Sequence, residues 1–179
     1  MELSDWVLKT IREENNKIAL NSDWLEIDRF VFTTLLSHTI TYVINGGTLL
    51  FCSDEHFEWF GRYVTQSINR FGASRPLVPI YLLEDFLPKI KNRDNDLVHN
   101  VLSLSFNDYA FWYVGKMQSD LSKLAFSRDN GFLWVLDDSM QKALNLDSKD
   151  RMIEYKLIQL YKIFEQALFG AMFGDITIA

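Results

Sequence analysis

Cysteine is almost absent from this sequence: Cys52 is the only one. A lone thiol excludes an internal disulfide and any multi-cysteine zinc site, and it suits a reducing cytoplasm. Three prolines and eight glycines in 179 residues are too few for a collagen-like or low-complexity chain. The three histidines, His38, His56 and His99, are not paired at i, i+3 or i, i+4, and none sits in a His-Glu-x-x-His motif. No metal and no cofactor is therefore expected. No apolar run approaches the roughly 18 residues that a membrane span needs. The start, Met1-Glu2-Leu3-Ser4-Asp5-Trp6, lacks the basic and apolar regions of a secretory signal. A cytoplasmic protein without membrane contact is expected.

Positive charge is also scarce. Eighteen Lys and Arg stand against 24 Asp and Glu, for a net charge of -6 and a pI near 5.0. That is the wrong sign for a protein that grips phosphate backbones, so direct nucleic acid binding is not expected. The one basic cluster, Lys89, Lys91 and Arg93, is diluted by Asp94 and Asp96 and reads as a solvated loop.

What the chain has in surplus is rings: 14 Phe, 7 Tyr and 5 Trp make 15% of it. Aromatic side chains bury large areas and are enriched at interface centres, so the surplus points to association as well as to a core. With 48% hydrophobic and 23% charged residues, a single globular domain over residues 1–179 is expected.

Hydrophobic spacing predicts alternating elements. Ser4 or Asp5 caps a helix to about Asn16. A second helix starts near Trp24 after Asn21-Ser22-Asp23, carries Leu25, Ile27, Phe30, Val31, Leu35, Leu36, Ile40, Val43 and Ile44 at helical spacing, and ends at Asn45-Gly46-Gly47. Thr48–Cys52 is a strand, and Ser53-Asp54 caps a helix to about Arg70. After a turn at Gly72–Pro76 a second strand runs Leu77–Leu83. A helix at Asp96–Phe106, a strand at Phe111–Val114, a helix at 118–127, a strand at Phe132–Leu136 and a long helix at Arg151–Phe173 complete the series. Short strands that are apolar throughout, alternating with helices, predict an α/β fold. The expected architecture is a Rossmann-like, mostly parallel sheet of four to five strands between helices, with two extra helices at the N-terminus.

The last helix has more apolar surface than one core face requires. Leu157, Leu160, Phe164, Leu168 and Ala171 form one stripe, and Ile158, Tyr161, Phe169 and Met172 lie offset from it. Two readings follow, a subunit interface and a helix buried on two sides within the monomer. On the core faces of other elements the spacing places Phe30, Phe51, Phe132 and Phe164.

Catalytic patterns are thin. Cys52 closes an apolar strand and reads as a small core residue, although His56 four positions on would be the base for a thiol nucleophile. Gly46-Gly47 precedes a strand instead of following one, so it is not a dinucleotide loop. The loop in the correct place, Ser53-Asp54-Glu55, is acidic, which satisfies the helix field and repels phosphate. Gly115-Lys116-Met117-Gln118-Ser119 is a second, weak candidate cradle.

Several phrases together resemble the HobA/DiaA family of bacterial replication-initiation regulators: Asp23-Trp24-Leu25-Glu26, Asn45-Gly46-Gly47-Thr48-Leu49-Leu50, Arg75-Pro76-Leu77, Phe111-Trp112-Tyr113-Val114-Gly115-Lys116, Phe132-Leu133-Trp134, and Tyr155-Lys156-Leu157-Ile158-Gln159-Leu160 with Phe164-Glu165 and Ala167-Leu168-Phe169. The match runs in order over most of the chain, with little of it in residues 84–100 and 139–150. The resemblance implies a sugar-isomerase-type (SIS) fold, a homotetramer, and an adaptor that binds the N-terminal domain of the initiator DnaA and promotes its assembly at the chromosomal origin. It implies no catalysis. The alternative is a phosphosugar-binding or isomerase SIS domain, which the departures at Ser53-Asp54-Glu55 and Gly115-Lys116-Met117 put in doubt. By the same resemblance Met172-Phe173, or Leu168-Phe169 one turn earlier, is the apolar-aromatic pair of assembly and initiator contact, with Tyr161 on the same surplus face. Asp137 and Asp138 follow the fourth strand, as an interface rim or a helix cap.

Overall fold

Five strands, every neighbouring pair parallel, form one sheet in the order β2-β1-β3-β4-β5. They are β1 (Thr48–Ser53), β2 (Ile80–Leu82), β3 (Tyr109–Gly115), β4 (Phe132–Leu136) and β5 (Leu144–Leu146). The helices are α1 (Leu3–Lys17), α2 (Asp23–Ile44), α3 (Glu58–Ile68), α4 (Leu83–Phe86), α5 (Asn95–Ser105), α6 (Asp120–Ala125) and α7 (Ile153–Met172). The computed structural model describes residues 1–17, 23–70, 74–87 and 94–178. The residues Asn21 and Ser22, the turn at Gly72, and the basic cluster Lys89, Lys91 and Arg93 lie outside the described residues.

Alternation along each strand divides the core in two. Leu49, Phe51, Trp112, Phe132 and Trp134 point to the side covered by α1, α2, α3 and α7. Leu50, Tyr109, Phe111, Tyr113 and Val135 point to the side of the shorter helices α4, α5 and α6. Both faces are covered, which is why β1, β3 and β4 are buried at every position and carry no polar alternation. Trp112 is the hub of the first layer. Phe132 and Phe164 lie 5.0 Å from it, Trp134 5.2 Å and Phe51 5.4 Å. Much of the aromatic surplus is thus core.

The expected α/β architecture is present, with corrections at its edges. The first helix begins at Leu3, ahead of Ser4 and Asp5, because its entry is tied to the far end of the chain: Leu3 N donates to Thr177 O at 3.2 Å and Thr177 N to Met1 O at 3.0 Å. The second strand shrinks to Ile80–Leu82, since Pro76 and Pro79 have no N–H for a ladder. The edge strand β5, three residues long, is too short for periodicity to announce. Asn45-Gly46-Gly47 does close α2, with Gly46 at φ 92°, a conformation that glycine adopts without strain. Phe30, expected on a core face, is instead 67% exposed.

Candidate functional site

A doubly wound sheet binds ligands at the carboxyl ends of its strands where the strand order reverses. Here that point lies between β1 and β3, because the chain moves outward to β2 on one side and to β3, β4 and β5 on the other. The crevice is bridged by the chain itself. Asp54, in the loop after β1, makes no side-chain cap to the turn that follows it. Its Oδ2 accepts from Lys116 N at 2.7 Å, and its Oδ1 lies 2.9 Å from the Tyr113 hydroxyl. That hydroxyl is also 2.6 Å from Lys116 O and 3.0 Å from Ser119 Oγ. Burial, together with the Asp54 carboxylate, pushes the Tyr113 phenol above its ordinary range. Gly115 permits the approach: a Cβ there would stand 2.5 Å from Asp54 Cγ. The Lys116 N–H, which a phosphate would require of a cradle in this loop, is already committed to a carboxylate.

The polar belt continues along the same edge. Lys116 Nζ lies 2.6 Å from Asp137 Oδ2, and Asp137 accepts from Ser148 N at 2.8 Å and Ser148 Oγ at 2.6 Å. Asp137 adopts φ 62°, in the left-handed region that non-glycine residues rarely enter. The hydrogen bonds from Lys116 and Ser148 hold its carboxyl well below the usual range. Asp137 therefore ties the ends of β3, β4 and β5 together, and Asp138 lies half-buried beside it.

Nucleophilic chemistry has no support at Cys52. The thiol is buried, and that burial, with Asp54 nearby, pushes its pKa up, opposite to what a thiolate nucleophile needs. His99 is held in place by its neighbours: one ring nitrogen is 2.7 Å from Tyr109 Oη and the other 2.7 Å from Ser127 Oγ. Its pKa is lowered by burial and by Arg128.

On α7 the residues expected at an interface divide. Tyr161 and Leu168 are wholly buried within the subunit and Phe169 nearly so, Met172 is half-buried, and Phe173 is 58% exposed. Much of the second apolar row is used internally, around a carboxylate that lies within the apolar run. Glu165 is buried and accepts from Arg75 Nη2 at 2.7 Å, Lys162 Nζ at 2.9 Å and Tyr161 Oη at 3.0 Å. Burial opposes its charge, but the bonds from Lys162 and Arg75 outweigh it and hold the carboxyl below its ordinary range. Arg75 also donates to Ser67 O at 2.8 Å and stacks 4.4 Å over the Phe169 ring, which lies 6.4 Å from Phe173 in a stacked arrangement. The available signal was an acid inside an apolar run, Phe164-Glu165, and a distant arginine in Arg75-Pro76-Leu77.

The sequence and the fold as a whole match known proteins. The family model described as "HobA: DNA replication regulator" matches residues 1–178. The chain belongs to the HobA family. The DNA replication regulator protein HobA of Helicobacter pylori is 32% identical over 178 residues, 97% of each chain. A crystal structure of a HobA-DnaA (domain I-II) complex from H. pylori superposes with a TM-score of 0.80 at 31% identity over 99% of each chain. A crystal structure of H. pylori HobA superposes at 0.77 and 30% identity, again over 99% of each chain. This family consists of replication regulators, and the all-parallel sheet with its N-terminal helices is common to these structures. Among the described residues no helix is long and apolar enough to cross a membrane.

Proposed function

We propose that this chain is a cytoplasmic, non-enzymatic adaptor that binds the N-terminal domain of the initiator DnaA and promotes DnaA assembly at the chromosomal origin. The observation that supports it is the full-length likeness to HobA in a HobA-DnaA (domain I-II) complex. The Asp54 bridge across the crevice agrees with it, since it opposes the phosphosugar alternative. The adaptor works as a single domain over residues 1–179, assembled as a homotetramer. Linked sites on one assembly raise the effective concentration of the bound initiators. The net charge of -6 leaves DNA contact to the partner. The exposed end of α7, Phe173 with Met172, and the rim at Asp137 and Asp138 are the surfaces offered to DnaA or to another subunit, with Tyr161, Leu168 and Phe169 supporting α7 from within.

Calorimetric titration of the full chain with the isolated N-terminal domain of DnaA tests this reading. Saturable binding in the micromolar range is expected. Absence of binding at tens of micromolar overturns it.

A further inference from the structure

Helix α5 is lightly seated on the sheet. Of its eleven residues only Val98 and Leu102 are buried, while Leu97 is 54% exposed and Leu104 90%. Two aliphatic side chains are a small share of the core, so a polar contact carries more of the attachment. His99, half-buried beside Val98, makes that contact. Its Nδ1 lies 2.7 Å from the hydroxyl of Tyr109, the first residue of β3. Its Nε2 lies 2.7 Å from Oγ of Ser127, two residues past α6.

The three groups form a relay with one consistent direction. Ser127 has a single hydroxyl proton, and Leu124 O accepts it at 2.5 Å. Ser127 Oγ therefore faces His99 as an acceptor, which places the ring hydrogen on Nε2. Nδ1 is then bare and accepts from the Tyr109 hydroxyl, and the ring is neutral. A second ring proton, on Nδ1, meets the Tyr109 O–H and forces it to turn away. Tyr109 is 1% exposed, so that hydroxyl loses its acceptor without gaining water. The surroundings oppose a charged ring as well. From β3, the Tyr109 and Phe111 rings lie 6.2 Å and 6.1 Å from the imidazole. From the segment after α6, Arg128 stands 4.3 Å over the Tyr109 ring and pairs with Asp108 at 3.1 Å. Asp96, one turn back on α5 itself, favours the charged ring, but burial and Arg128 outweigh it and hold the His99 pKa below its ordinary value.

We propose that His99 is a pH-sensitive pin: its neutral ring fastens α5 to the start of β3 and the end of α6, and its protonation releases the helix. Release uncovers Val98 and Leu102 and the layer they close, which includes Tyr109, Phe111 and Leu133. The sign follows from a folded-state pKa that is depressed. The pin is fully closed above the ordinary histidine value of about 6.5 and is lost as pH falls through the lower folded value. It operates whether or not the chain binds DnaA.

Hydrogen exchange of the full chain, resolved by NMR at about pH 7.5 and about pH 5, tests the pin; carboxylates ordinarily stay mostly charged across that range. After correction for the intrinsic pH dependence of exchange, protection of the α5 amides is expected to fall about tenfold relative to α7 at the lower pH. That is the ratio expected when one buried hydroxyl loses its acceptor. The ring nitrogen shifts at the higher pH are expected to show the hydrogen on Nε2. His99→Gln puts a neutral, non-titrating side chain at the position and leaves His38 and His56 in place, with circular dichroism to establish that it folds. In this variant the difference between the two pH values is expected to vanish. A ring hydrogen on Nδ1 at the higher pH overturns the proposal, as does α5 protection that falls no more than that of α7, or an equal fall in His99→Gln. The first two outcomes are read on the unaltered chain and do not require the variant to fold.

Discussion

The carboxylate of Asp54 accepts a hydrogen bond from the backbone nitrogen of Lys116 at 2.7 Å, across the one gap in the sheet where a fold of this kind receives a ligand. An internal anion thus joins the two loops that would otherwise cradle a phosphate, and the crevice becomes part of the scaffold.

Removing that anion leaves the Lys116 N–H without its acceptor, whereas the Tyr113 hydroxyl keeps Lys116 O at 2.6 Å. Asp54→Ala is expected to cost about 1–3 kcal/mol, the penalty of an unsatisfied polar group in a partly buried site, measured by urea denaturation. Asp54→Asn retains one acceptor oxygen and is expected to lose less. The unaltered chain is expected to show no thermal shift with millimolar sugar phosphates; a reproducible stabilisation would revive the phosphosugar reading.

Gly115 lies against the same carboxylate, with a Cβ position 2.5 Å from Asp54 Cγ and 2.5 Å from Tyr113 Oη. Gly115→Ala is expected to destabilise by about 1–3 kcal/mol through overpacking. Combined with Asp54→Ala it is expected to cost less than the sum of the two, since part of the clash is with Asp54.

Glu165 gives a pH dependence whose sign is fixed by its depressed folded-state pKa. Its contribution is complete above the unfolded value of about 4.3 and is lost as pH falls through the lower folded value. Glu165→Gln is expected to flatten this part of the stability profile between pH 7 and pH 3, measured by denaturant midpoints. Arg75→Ala, which removes one of the three donors to Glu165 and leaves Lys162 and Tyr161 in place, is expected to cost about 1–3 kcal/mol.

Phe173 is exposed at the end of α7, so Phe173→Ala is expected to change stability by no more than about 0.5 kcal/mol. Weaker DnaA binding or a smaller assembly mass is expected, measured by calorimetry and sedimentation. Unchanged binding and mass would place the contact elsewhere.

Much of the architecture was legible because periodicity survives in long or fully buried elements. The spacing in 153–172 and the unbroken apolar run Phe132–Leu136 mark a helix and a central strand, and Asn45-Gly46-Gly47 marks a helix end by its conformational tolerance. Phe30 was misplaced for a definite reason. Helix α2 carries apolar residues all round, and such a helix does not reveal by its spacing which side meets the sheet. Tyr161 and Phe169 were ambiguous in the same way, until Arg75 and Glu165, ninety positions apart, were seen to meet.

The sequence by itself determined the class of fold, the order of the elements, the family and the unsuitability of the Asp54 loop for a phosphate, all of which depend on local composition and spacing. The tertiary structure decided which apolar face is spare, that Asp54 is bound to the neighbouring loop, and that α7 is anchored through Glu165. Those outcomes depend on contacts between segments distant along the chain, and only packing in three dimensions assigns the partners.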